Sequence, residues 1–131
     1  MTEPNWLSEE IVTAIHDEQL AVHGGGIGLR EAGMLASALE RPVNKWAYEA
    51  AELPELAAAY AFELAKNHPF IDGNKRTALL ALYTFLFIND VEFIVPQADA
   101  AAMILALAAG EAGEDGLTRW IRDNWPKDAS A

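Results

Sequence analysis

The stretch His68-Pro69-Phe70-Ile71-Asp72-Gly73-Asn74-Lys75-Arg76-Thr77 gathers side chains that can work together on a phosphate. Imidazole is the side chain that changes charge near neutral pH, so His68 can take a proton from a hydroxyl nucleophile. Asp72 offers a hard oxygen ligand suited to Mg2+ bridging phosphate oxygens. Apolar residues crowd the segment from Lys75 to Ile88, which reads as a helix. A loop that ends at a helix N-terminus presents unpaired backbone N–H groups and the positive end of the dipole, which together bind anions. Gly73 allows the close backbone approach that a phosphate needs. Lys75 and Arg76 put two cations at that same end, which is unfavourable unless an anion joins them. A local rule broken in this way is a mark of function. Taken singly, His68 could be a loop histidine, Asp72 an Asx-turn residue, and Lys75 with Arg76 solvated charges. Together, within nine positions, they form a set for phosphoryl or nucleotidyl transfer.

The elements that must position this set read as helices. Alanine is abundant and β-branched runs are scarce, so an all-α fold is expected. Ser8 is a plausible N-cap for a first helix, with Ile11, Ile15 and Val22 on one face and the glycines at 24–28 as its end. Those glycines match neither dinucleotide nor P-loop spacing and read as a C-cap and flexible turn. A second helix is expected from Leu29 to Glu40, with Met34, Leu35, Ala38 and Leu39 inward, stopped by Arg41-Pro42. A loop from Pro42 to Glu52 would then hold Trp46 and Tyr48. Pro54 suits the first turn of a third helix carrying Leu56, Tyr60 and Leu64 to about Lys66. Pro69 drives His68 away from helical dihedrals. The helix at 75–88 is apolar all round, as the buried centre of a bundle would be. Val91 to Val95 reads as a strand or an extended connector, Asp99 as the cap of a helix through Met103, Ile104 and Leu107, and Asp115 as the cap of a last helix with Leu117, Trp120 and Ile121. His16 and His23 lack an acidic partner at zinc-site spacing and read as surface or helix-end residues.

The 131 residues form one domain, 1–131, without repeat or linker, long enough to bury a core unaided. Absence of cysteine excludes zinc-thiolate sites, thiol nucleophiles and disulfides. With 20 acidic against 9 basic residues, the formal charge of −11 argues against a nucleic-acid partner. Three of the basic residues, Lys66, Lys75 and Arg76, bracket His68 in sequence. The first residues show no secretory signal, and the apolar run Ala78 to Ile88 is short of the ~20 residues that span a bilayer. A soluble, cytoplasmic protein without a membrane partner is expected.

The motif resembles the signature of the Fic superfamily, and more closely its death-on-curing (Doc) branch, His-x-Phe-x-Asp-(Ala/Gly)-Asn-Lys-Arg-Thr-Ala. His68, Phe70, Asp72, Gly73, Asn74, Lys75, Arg76, Thr77 and Ala78 match it without a gap. Gly28-Leu29-Arg30 and Ala38-Leu39-Glu40-Arg41-Pro42 are also Doc-like, so the similarity extends over nearly the whole chain. The resemblance implies a compact helical bundle around the helix at 75–88. It implies His68 as general base, Asp72 as holder of a divalent metal, and the backbone around Gly73 and Asn74 with Arg76 as the phosphate site. Phe70 would anchor the loop in the core.

Lys75 stands where AMP-transferring Fic proteins have a second glycine, and Leu79 where they have a final arginine. The Doc branch shares the lysine and is associated with transfer of the γ-phosphoryl group of ATP to a protein hydroxyl, with elongation factor Tu as the family's target. Phosphoryl transfer rests on positioning and charge neutralisation, so a lysine here is chemically sensible. No internal Ser/Thr-x-x-x-Glu-(Gly/Asn) inhibitory string is present, and Doc-type toxins are neutralised by a separate antitoxin that folds onto them. The resemblance also puts a target-docking flap around Trp46 and Tyr48, with packing as the plainer role of Trp46. A kinase using ATP and Mg2+ is the first reading; AMP transfer and a non-catalytic binding module are the alternatives.

Overall fold

A computed structural model describes residues 2–129 as an all-α bundle. Its helices are α1 (Glu9–His23), α2 (Ala32–Glu49), α3 (Leu53–Asn67), α4 (Asn74–Ile88), α5 (Gln97–Ala108) and α6 (Glu114–Asp123). Ser8 caps α1, its hydroxyl accepting from the Ile11 N–H at 3.2 Å. Glu52 and Glu55 close a reciprocal capping box on α3, whose first turn holds Pro54.

Helix α3 carries Ala57, Ala58, Ala59, Tyr60 and Ala61 consecutively without exposure, so it is enclosed on every side, and α2, α4, α5 and α6 all pack on it. Its alanines let those neighbours approach closely. Helix α4 shares the centre, burying Ala78, Ala81, Leu82, Phe85 and Leu86, with Phe85 4.9 Å from the Tyr60 ring. Its other face stays open: Leu79 and Leu80 are half-buried and Phe87 is exposed. The apolar character all round α4 thus has two causes, a core on one side and a cavity wall on the other. The preceding arm folds back over α4, with Trp6 stacked on Phe85 and edge-on to Trp46, and Asn5 exchanging hydrogen bonds with Asn89.

Three expectations are corrected. Helix α2 starts at Ala32 and passes through Pro42 to Glu49, so Trp46 and Tyr48 lie on a helix and no flap occupies that region. An interior proline costs about 3 kcal/mol, but the continuation packs α2 along α3 and carries Arg41 and Lys45 to Glu114 of α6, at 3.2 and 2.7 Å. On α1 the inward residues are Val12 and His16, whereas Ile11 and Val22 are exposed. Asp99 and Asp115 sit inside the first turns of α5 and α6, and Pro96 and Gly113 hold the cap positions. Of the two readings of segment 91–95 the structure takes the connector, with Val91 and Phe93 buried and Glu92 and Ile94 exposed, and no strand is formed among the described residues.

Candidate functional site

Helix α3 ends at Asn67 and is capped by His68, whose backbone is left-handed (φ 49°, ψ 58°), and α4 begins after Gly73 (φ 77°). The six residues that join the helices, His68 to Gly73, are held from three directions. Asn74, buried at the head of α4, donates from Nδ2 to the Phe70 carbonyl and accepts the Phe70 N–H at Oδ1, both at 3.0 Å. Phe70 is buried and stacks on His16 of α1, ring centroids 3.8 Å apart and planes 8° from parallel. His16 Nε2 lies 2.7 Å from the Asp72 carbonyl oxygen; a carbonyl only accepts, so this nitrogen carries a proton. From the α1–α2 loop, Leu29 forms an antiparallel bridge with Phe70, the Ile71 N–H donates to Gly28 O at 3.1 Å and the Arg30 N–H to Pro69 O at 2.8 Å.

This loop rims a cavity of about 760 Å³, within the size range of small-molecule sites. His68, Asp72, Gly73, Asn74, Lys75 and Arg76 all line it, with Gln19 and His23 of α1 opposite and an apolar wall from Leu79, Leu80, Ile104 and Leu105. Its floor is the N-terminus of α4, where the Thr77 N–H is the first to find a backbone acceptor, Gly73 O. Among the described residues the N–H groups of Asn74, Lys75 and Arg76 have no acceptor and are open to an anion. Lys75 and Arg76 are exposed and take part in no ion pair among the described residues. Asp72 Oδ1 accepts the Gly73 N–H at 2.8 Å. Among the described residues no group of three or more His, Asp or Glu side chains is placed to cage a metal.

A family model described as Fic/DOC family matches residues 6–86, from the arm before α1 into α4. The chain belongs to the Fic/DOC family. It is 31% identical over 117 residues to "Protein kinase doc" of Escherichia phage P1, covering 88% of this chain and 92% of that protein. It is 44% identical over 72 residues to "Toxin Doc" of Mycolicibacterium smegmatis (strain ATCC 700084 / mc(2)155), covering 53% of this chain and 55% of that one.

All six site residues expected of a Fic/DOC motif therefore reach one cavity, and the structure adds a division of labour among them. Asn74 commits one amide N–H and its amide oxygen to the two polar groups of the Phe70 backbone, which ties its side chain to the loop. Lys66 is not among the lining residues; its Nζ lies near Gly110, and the basic island reduces to Lys75 and Arg76. His16 is 1% exposed, correcting its reading as a surface residue, while His23 does end α1. Gly25 and Gly26 also do more than terminate a helix. A Cβ on Gly25 would lie 2.7 Å from Asp72 Oδ2, and one on Gly26 2.9 Å from Ile71 Cγ2. The sequence signals for these supports were a histidine on an otherwise amphipathic helix and a glycine run that no turn type required.

Proposed function

We propose that this Fic/DOC chain is a Doc-type toxin acting in the cytoplasm. It transfers the γ-phosphoryl group of ATP to a hydroxyl of a protein target, a translation elongation factor such as elongation factor Tu, and so stops translation. A separate antitoxin neutralises it in trans. The observation that carries this reading is the convergence of His68, Asp72, Lys75, Arg76 and the α4 N-terminus on one cavity. Its likeness to proteins named as a kinase and a toxin supports it.

In this mechanism His68 accepts the proton of the target hydroxyl as its oxygen forms a bond to the γ-phosphorus. The bond from that phosphorus to the β–γ bridging oxygen breaks, and ADP leaves. Charge on the phosphoryl oxygens is met by Lys75, Arg76 and the first N–H groups of α4, which are in place before the reaction and need no reorganisation. Leu79, Leu80, Ile104 and Leu105 exclude water from one side. Asp72 fits a Mg2+ that arrives with the phosphates, since this ion is held by one or two carboxylates plus phosphate oxygens and water. When bound, the ion neutralises phosphate charge. Lys75 is the chemical ground for phosphoryl over AMP transfer, because it fills the space that a glycine would leave for a differently placed phosphate.

Incubation with purified elongation factor and ATP labelled at either the α or the γ position tests the reaction. Label on the target from the γ position alone is expected; α-label would replace the kinase by a nucleotidyl transferase. His68→Ala should lower the transfer rate by about 10² to 10⁴ and abolish toxicity, with folding and antitoxin binding intact. Toxicity retained by that variant would mean inhibition by binding alone.

A further inference from the structure

Arg30 closes on three successive carbonyls of the chain segment that carries His68. Its Nη2 donates to Asn67 O at 2.8 Å, its Nε to His68 O at 2.9 Å, and its backbone N–H to Pro69 O at 2.8 Å. Nη2 also lies 3.2 Å from Met34 Sδ. No carboxylate is within ion-pair distance of Arg30 among the described residues. Its charge is thus directed at the C-terminus of α3, where orphan carbonyls and the negative end of the dipole collect.

His68 needs such support. A left-handed backbone (φ 49°) is uncommon outside glycine, even though histidine tolerates it better than most residues, and it persists where the surroundings hold it. The peptide plane after His68 leads into Pro69, which has no N–H, so its carbonyl is the one group by which a hydrogen bond can hold that plane. Arg30 Nε takes it. The plane before His68 is held by the same guanidinium through Asn67 O. With both flanking planes tied, the direction in which the imidazole leaves the backbone is set from the opposite side of the loop.

We propose that Arg30 is a positioning residue for His68: it holds the base at the cavity rim without touching substrate. The proposal rests on the reading of His68 as general base. Arg30 is exposed, so its substitution leaves the core intact. The full chain carrying Arg30→Ala is compared with wild type in γ-labelled ATP transfer. Loss of about one ångström of positioning corresponds to a fall in kcat of about 10- to 100-fold, with the KM for ATP nearly unchanged. Millimolar guanidinium should recover part of the lost rate, and Arg30→Lys should lie between the two. Independently of activity, the NMR signals of the His68 carbonyl and ring should move in Arg30→Ala while the melting temperature stays close to wild type. Wild-type kcat, an effect confined to KM, or unchanged His68 signals would overturn the proposal. If the wild-type chain transfers no phosphoryl group, the kinase reading falls, and the His68 signals still decide whether Arg30 holds that residue.

Discussion

Asn74 and His16 hold the motif loop through its backbone, at Phe70 and at Asp72. Asn74 satisfies both polar groups of the Phe70 backbone, and both lie in a buried setting. A buried donor or acceptor left unpaired costs about 1–3 kcal/mol, so Asn74→Ala should destabilise the fold by about 2–4 kcal/mol and loosen the cradle. Asn74→Asp, which keeps the acceptor but loses the donor, should fall between. Urea unfolding of the three proteins checks this ordering. In the sequence Asn74 was legible as part of the site and its assignment as a phosphate residue was reasonable, because the motif puts it at a helix N-terminus. The direction of its amide was not legible, since it depends on the path of a loop whose other wall, residues 24–31, is some forty positions away. His16 was hidden for a related reason: hydrophobic patterning on α1 favoured Ile11, Ile15 and Val22, and the partners that draw an imidazole inward, Phe70 and the Asp72 carbonyl, lie on α4's approach.

At the scale of elements, the α1–α2 connection is a second wall of the site. Gly25 has φ 126° and faces Asp72 with no room for a Cβ, the nearest atom being 2.7 Å from the position it would take. Gly25→Ala is therefore expected to displace the Asp72 carboxylate and to lower Mg2+-supported transfer more than it lowers stability. Gly33, inside α2, has nothing within 4 Å of its Cβ position. Gly33→Ala should raise stability by about 0.5–1 kcal/mol and leave transfer unchanged. Parallel activity and melting measurements on the two variants check the contrast. Helix α2 shows how tertiary packing overrides a local stop. Pro42 marks an end by every local rule, and the helix runs seven residues further, to Glu49, because its second half packs on α3 and pairs with Glu114 of α6.

Over the whole molecule, the core is organised around α3 and its one buried hydroxyl. Burial pushes the Tyr60 phenol up to about 12, against a smaller opposing effect of the Leu7 N–H that donates to it. A folded-state pKa above the unfolded value of 10 means that the stabilising effect is complete below pH 10 and is lost as pH rises toward 12. The loss amounts to about 2–3 kcal/mol, the equivalent of two pKa units. Tyr60→Phe should cost about 1 kcal/mol at neutral pH, where the Leu7 N–H loses its acceptor, and should flatten the alkaline decline. Urea midpoints at pH 7 and pH 11 check both signs. A decline as steep in the variant would place the alkaline sensitivity elsewhere, as in Tyr83, whose phenol is also raised by burial. Sequence by itself determined the helical class, most of the helices and the family motif, because caps, apolar spacing and the nearness of His68 to Arg76 are local properties of the chain. Only the tertiary structure decided which helix is enclosed on every side, that α2 outruns its proline, and that His16, Gly25 and Arg30 pack against the segment that carries His68 and Asp72. Those outcomes depend on contacts between residues far apart in the chain, whose free energies exceed the local preferences they override.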